Sequence, residues 1–233
     1  MAVRIKICGI TRREDAELAV SLGAEMIGLN FYPPSPRCLT IERASAIARA
    51  LKGRARLVGI FVNAERAYIK EHFDSLKLDL LQFHGDEDDA AMKGWPVAVI
   101  RALRLRADVA LGAIRIDKIK ADYVLIDTFH SELFGGTGQS RRLETLRALD
   151  LRRVFVSGGL APDNVAEAAA LNPYALDVAS GVESAPGCKD HDKLTSFIAN
   201  AKSFHMNKRS SRTNKRSTRG NSGASRAGAK LSR

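Results

Sequence analysis

Cysteine is scarce in this chain: Cys8, Cys38 and Cys188 are the three in 233 residues. An odd number without the short spacings of metal ligands argues against both a disulfide framework and a zinc site. Long apolar runs are also missing. No stretch of ~18 apolar residues occurs, and the first residues read as a charged strand instead of an apolar leader. The expectation is a cytoplasmic protein that neither spans a membrane nor is secreted. Acidic residues are absent from one region, since Met206 to Arg233 holds 9 Lys and Arg and no Asp or Glu. The formal charge of +11 is concentrated there, because residues 1–205 set 28 basic side chains against 26 acidic ones, a net of +2. Rich in Ser, Gly, Asn and Arg and nearly without large apolar side chains, that segment cannot bury enough surface to fold. The expected division is a catalytic domain over 1–205 and a disordered basic tail over 206–233.

What is present in 1–205 is one pattern repeated eight times. The whole chain is 45% hydrophobic and 27% charged, enough for one sizeable core. Each unit is a short β-branched run, a loop and a stretch with helical apolar spacing. The expected strands are 4–8, 26–31, 57–62, 80–84, 97–102, 123–127, 153–157 and 175–179. The expected helices lie at 14–22, 41–51, 65–73, 86–93, 108–114, 142–149, from Pro162 in a first-turn position, and 191–201. Strands alternating with helical crossovers make an α/β protein with a parallel sheet. Eight regular units in ~200 residues fit an eight-fold parallel β/α (TIM) barrel better than a doubly wound open sheet.

In such a barrel the chemistry gathers where the strands end. The first strand, Arg4-Ile5-Lys6-Ile7-Cys8, alternates faces, so Ile5 and Ile7 point one way and Arg4, Lys6 and Cys8 the other. Cys8 reads as a buried structural thiol or as a base or nucleophile, and the Lys6 ammonium one pleat below it favours thiolate. Asp127 ends the strand Val124-Leu125-Ile126 and points inward if Val124 and Ile126 face the helices. It reads as a loop-bracing carboxylate or, with its pKa raised by partial desolvation, as a general acid. Arg37 follows a proline-stiffened turn, either solvated or poised as a fork for a carboxylate. Ser157-Gly158-Gly159-Leu160 and Ala179-Ser180-Gly181-Val182 follow strands seven and eight. Glycine turns there present backbone N–H groups to an anion, which points to a phosphorylated small molecule as substrate.

Taken together, Lys6-Ile7-Cys8-Gly9-Ile10-Thr11, Ser35-Pro36-Arg37, Gln82-Phe83-His84-Gly85, Gly135-Gly136-Thr137-Gly138, Gly158-Gly159-Leu160 and Ser180-Gly181-Val182-Glu183 with Pro186-Gly187 and Lys189-Asp190 resemble the phosphoribosylanthranilate isomerase family. The resemblance runs from about residue 4 to 200. It implies a barrel enzyme of tryptophan biosynthesis that works without metal or organic cofactor. It further implies Cys8 as general base, Asp127 as general acid, Arg37 on the anthranilate carboxylate and amides near Gly159 and Gly181 on the phosphate. His84 and Asp177 are implied as further substrate contacts. Two places depart from the family pattern: Arg141-Arg142-Leu143 replaces Phe-Asp-Trp, and Ala179 replaces the first Ser of Ser-Ser-Gly. The competing functions are another phosphosugar isomerase or epimerase barrel, or a nucleic-acid-binding protein acting through the tail. A metal-dependent epimerase would want clustered His and Asp ligands, which five scattered histidines do not supply. By resemblance, a histidine-pathway isomerase would carry Asp in place of Cys8. The tail is expected to contact polyanions without sequence preference, or to have no partner. Oligomeric state is left open.

Overall fold

The computed structural model describes residues 3–104, 115–127 and 146–203. Eight parallel strands close into a barrel in chain order: β1 Arg4–Ile7, β2 Met26–Asn30, β3 Arg56–Phe61, β4 Leu80–Phe83, β5 Ala98–Arg104, β6 Tyr123–Asp127, β7 Val154–Ser157 and β8 Ala175–Val178. Pairing of β8 with β1, in the register Lys6 with Asp177, completes the ring. The pleat divides the core in two. Ile5, Ile7, Ile27, Leu29, Val124, Ile126, Val154 and Val156 point outward into a cluster shared with the helices. Met26, Val58, Leu80, Ile100, Leu125, Phe155 and Ala175 fill the lumen. Leu125 therefore points in while its neighbours point out, which puts Asp127 on the lumen face by the period of two.

The described helices are α1 Arg13–Ser21, α2 Ile41–Leu51, α3 Arg66–Leu76, α4 Val165–Ala170 and α5, residues 191–203. Helix α2 shows why they form. The Thr40 side chain accepts from the Arg43 N–H and caps its start, Ala44, Ile47 and Leu51 make its buried stripe, and left-handed Lys52 ends it. Burying a side chain such as Ile47 contributes about 1.5–3 kcal/mol. None of these helices is long and apolar enough to cross a membrane.

Two expectations need correction, and one element was not expected. Residues 86–93 form turns instead of a helix. Glu87 there turns back to accept from the N–H groups of Asn63 and Gly85 at 2.7 and 2.8 Å, and Asp88 accepts from Ala91. The acids that might start a helix thus bind loop backbone, and left-handed Gly94 follows before enough residues accumulate to propagate one. The helix after β7 begins at Val165, not Pro162, because Asn164 closes a turn by accepting from the Ala161 N–H and donating to the Gly159 carbonyl, both at 2.9 Å. Between β8 and α5 lies an unanticipated antiparallel hairpin, β9 Glu183–Ala185 with β10 Cys188–Lys189, turned by Pro186-Gly187 with Gly187 at φ +83°. The expected helix at 108–114, the Gly135–Gly138 loop, Arg141-Arg142-Leu143 and the tail lie outside the described residues.

Candidate active site

Cys8 follows β1 directly, its N–H donating to Val178 O at 2.8 Å, and is half-buried. Room for its sulfur comes from Gly28 on β2, where an added Cβ would lie 3.0 Å from both the Cys8 Cα and Sγ. One pleat below, Lys6 is fully buried and donates to Asp177 Oδ1 at 2.8 Å, while Ser157 Oγ donates to Asp177 Oδ2 at 3.1 Å. Asp177 thus sits deeper than a mouth residue, with both oxygens engaged. Lys6 favours the Cys8 thiolate in the expected direction and Lys189 adds to it, but burial, with Asp177 adding to it, outweighs both and pushes the thiol up. Lys6 cannot act as an undiluted ammonium because Asp177 takes much of its field.

Across the lumen, Asp127 ends β6 in register with Arg104 and Ser157 and is half-buried. His84, just past β4, lies near it. Burial lowers the His84 pKa, with Asp127 opposing and Lys6 adding, so the imidazole is neutral near pH 7. Gln82 Nε2 lies 3.0 Å from His84 Nδ1, and Arg104 Nε donates to the His84 carbonyl at 3.1 Å. Gln82 is fully buried, and its Oε1 has no hydrogen-bond partner among the described residues.

Arg37 is aimed by three contacts. Its N–H donates to Ser35 Oγ at 3.2 Å, its Nε donates to Glu183 Oε1 at 2.9 Å, and its Nη2 pairs with Glu183 Oε2 at 2.5 Å. Gly9, at φ +67°, must be glycine on two counts, since an added Cβ would also fall 2.4 Å from the Arg37 Cδ. Lys189 completes this network. Its buried ammonium donates to Glu183 Oε1, to the Cys8 carbonyl and to the Ala179 carbonyl at 2.9, 2.7 and 3.0 Å. Burial alone would raise the Glu183 carboxyl, but Arg37 and Lys189 hold it below the usual range. At Ala179, where the family pattern carries a serine, the backbone carbonyl serves this network whatever the side chain.

The two glycine turns adjoin. Gly158 and Gly159 have φ of +86° and +65°. Gly181 packs so closely that an added Cβ would lie 1.8 Å from the Leu160 carbonyl oxygen. Cys8, Arg37, His84, Asp127, Gly159 and Gly181 therefore share one end of the barrel, and Asp177 lies beneath them. Lys6, Gly28, Gln82, Glu183 and Lys189 were not singled out as site residues, although all but Gly28 belong to the quoted motifs. Of these, Lys6 is the charge that the alternation of the first strand already places on the lumen face below Cys8.

Residues 5–200 match the family model described as N-(5'phosphoribosyl)anthranilate (PRA) isomerase. The N-(5'-phosphoribosyl)anthranilate isomerase of Pseudomonas fluorescens strain Pf0-1 is 46% identical over 198 residues, which cover 84% of this chain and 97% of that one. The chain belongs to this isomerase family. Among solved structures, the family's enzyme from Thermus thermophilus is 36% identical with a TM-score of 0.72, covering 85% of this chain and 98% of its own. A phosphoribosylanthranilate isomerase crystallised with reduced 1-(o-carboxyphenylamino)-1-deoxyribulose 5-phosphate is 35% identical with a TM-score of 0.68, covering 86% and 99%. Membership of the phosphoribosylanthranilate isomerase family makes the chain an isomerase with a TIM-barrel fold.

Proposed function

We propose that this chain carries out the step of tryptophan biosynthesis that rearranges N-(5-phosphoribosyl)anthranilate to 1-(2-carboxyphenylamino)-1-deoxyribulose 5-phosphate, with Asp127 as general acid and Cys8 as general base. The observation that supports this reading is placement: Asp127 ends β6 and Cys8 follows β1 at the same end of the barrel, where an acid and a base can reach different atoms of one sugar. Asp127 gives its proton to the furanose ring oxygen as the C1′–O bond breaks and the anthranilate nitrogen lone pair forms a Schiff base. Cys8, as thiolate, then takes the C2′ proton, and the electrons of that C–H bond become the C1′=C2′ bond of an enolamine. Loss of the O2′ proton and protonation at C1′ give the ketone.

Arg37, its Nε and Nη2 held by Glu183, turns the rest of its fork toward the anthranilate carboxylate. Backbone N–H groups around Gly159 and Gly181 hold the phosphate. Neutral His84 donates to, or accepts from, the sugar hydroxyls, and Asp177 acts from below. The product analogue bound by a 35% identical relative supports a phosphorylated ligand of this shape.

Loss of substrate fluorescence, followed with wild type, Cys8→Ala and Asp127→Asn, tests the roles. Each variant is expected to lose at least ~100-fold in kcat, the usual worth of a positioned proton-transfer group. Undiminished turnover in either variant removes that residue from its role, and a folded but inactive wild type removes the substrate assignment. Residues 1–205 form the catalytic unit in this reading, since the family match ends at residue 200, so deletion of 206–233 should leave turnover intact.

A further inference from the structure

The layer below the mouth holds a charged pair in a mostly apolar lumen that also contains the buried amide of Gln82. Lys6 and Asp177 stand in register on β1 and β8, the ammonium 2.8 Å from the carboxylate and both side chains nearly sealed from solvent. Stability does not require this, because a well-packed apolar pair can replace a buried ion pair at little or no cost. Met26, Val58, Leu80, Ile100 and Phe155 fill other lumen positions in that way.

The charged pair can do what an apolar pair cannot, which is to place an ammonium beside the sulfur one pleat above. Lys6 faces the Cys8 thiol as well as Asp177. The other charged groups facing that thiol are Asp177 from β8, Lys189 from β10 and Arg37 from the loop after β2. Lys189 and Arg37 share the single carboxylate of Glu183, a network separate from the Lys6–Asp177 pair one pleat below the sulfur. Ser157, donating to Asp177 Oδ2 at 3.1 Å, keeps the carboxylate turned toward Lys6.

We propose that Lys6 is the positioning residue that supports the Cys8 thiolate, and that Asp177 fixes the Lys6 ammonium while holding back part of its effect. The two halves of one salt bridge then act on the thiol in opposite directions. This deepens the proposed role of Cys8 as base, but its test does not pass through turnover.

Carboxamidomethylation of Cys8 by iodoacetamide forms an S–C bond and expels iodide, at a rate that follows the thiolate fraction. It is read against pH by peptide mass spectrometry in the full chain, which separates Cys8 from Cys38 and Cys188. Asp177→Asn is expected to move the midpoint down by about one pH unit and speed alkylation near pH 7 about tenfold. Lys6→Met is expected to move it up by about two units and slow the reaction about a hundredfold, both within what a neighbouring charge does. The paired variant Lys6→Met with Asp177→Leu keeps the lumen neutral and packed, so it covers the case in which a single variant does not fold. It should react more slowly than wild type, because the loss of Lys6 outweighs the loss of Asp177. Shifts of the same sign in the two single variants overturn the proposal. So does an unmoved midpoint in Asp177→Asn, which would mean that Lys6 sheds its own proton instead of pairing with sulfur, and so does a paired variant as reactive as wild type. Opposite shifts in a protein that does not turn over phosphoribosylanthranilate would uphold the coupling and reject only the substrate.

Discussion

Two glycines on the lumen side separate the position of the base from the grip on the phosphate. At Gly28 an added methyl meets the Cys8 Cα and sulfur at 3.0 Å and the Ile60 Cδ1 at 3.2 Å, contacts that the Cys8 backbone and both side chains must relieve by moving a few tenths of an ångström. The residue that moves is the proposed base. Gly28→Ala should therefore fold with a melting temperature lowered by a few degrees and an unchanged KM while kcat drops roughly tenfold, given that a 1 Å misplacement is worth about a hundredfold. At Gly181 the same methyl falls 1.8 Å from a backbone oxygen, Leu160 O, and no rotamer can relieve that. Gly181→Ala must shift the loop after β8, so its loss should appear mainly as a raised KM for the phosphorylated substrate. Steady-state kinetics of the two variants decide the matter, and a kcat-only defect in Gly181→Ala would count against a phosphate at that turn. The sequence showed Gly181 as a turn glycine but not Gly28, whose backbone is ordinary strand. Its reason for being glycine lies on a neighbouring strand.

At the scale of elements, the β9–β10 hairpin ties the mouth together. Glu183 on β9 holds Arg37, Lys189 on β10 holds the Cys8 carbonyl, and Asp15 on α1 accepts from the Lys189 N–H at 3.0 Å and pairs with Arg12 and His191. Burial alone would raise both Asp15 and Glu183, but their cationic and N–H partners outweigh it and hold both carboxyls below their ordinary values. The sign follows from linkage. A carboxyl depressed in the folded state adds stability that is complete above its unfolded pKa, about 4, and is lost as pH falls through its folded value. Urea midpoints measured downward from pH 6 should therefore fall below about pH 4, and Glu183→Gln should show a shallower fall than wild type. An identical slope in the variant would place the acid-sensitive groups elsewhere. The eight strands were legible because each is a short branched run with a period of two. The hairpin was not, since strands of three and two residues carry no periodic signal and are held by side chains from far away in sequence. The Lys6–Asp177 pair was invisible for the same reason, its members being 171 residues apart. The turns at 86–93 misled because acids at a candidate helix start serve equally well as acceptors for loop N–H groups.

For the whole molecule, charge separates what the family match explains from what it leaves over. The match ends at residue 200, and residues 1–205 carry a net charge of only +2, whereas 206–233 add nine positive charges and no negative one. The sign and the position of that excess are plain in the sequence, but no spacing within it names a partner. Contact with a polyanion through such a segment is driven by counterion release, so affinity should fall steeply with salt and ignore sequence. On mixed-sequence duplex DNA the slope of log K against log salt is about −0.9 per phosphate neutralised, or roughly −8 if all nine cations engage. Fluorescence anisotropy titrations of full-length protein and of a 1–205 truncation, run at several salt concentrations, measure this slope directly. The full chain is expected to bind with a slope well beyond −3 and the truncation not to bind, while both turn over phosphoribosylanthranilate equally. Equal binding by the truncation would move the polyanion surface onto the barrel, where Arg and Lys are already matched by Asp and Glu. No binding by either would leave the nine charges as a solvated extension. A slope near −8 with turnover undisturbed would show a catalytic barrel and an electrostatic segment working independently on one chain.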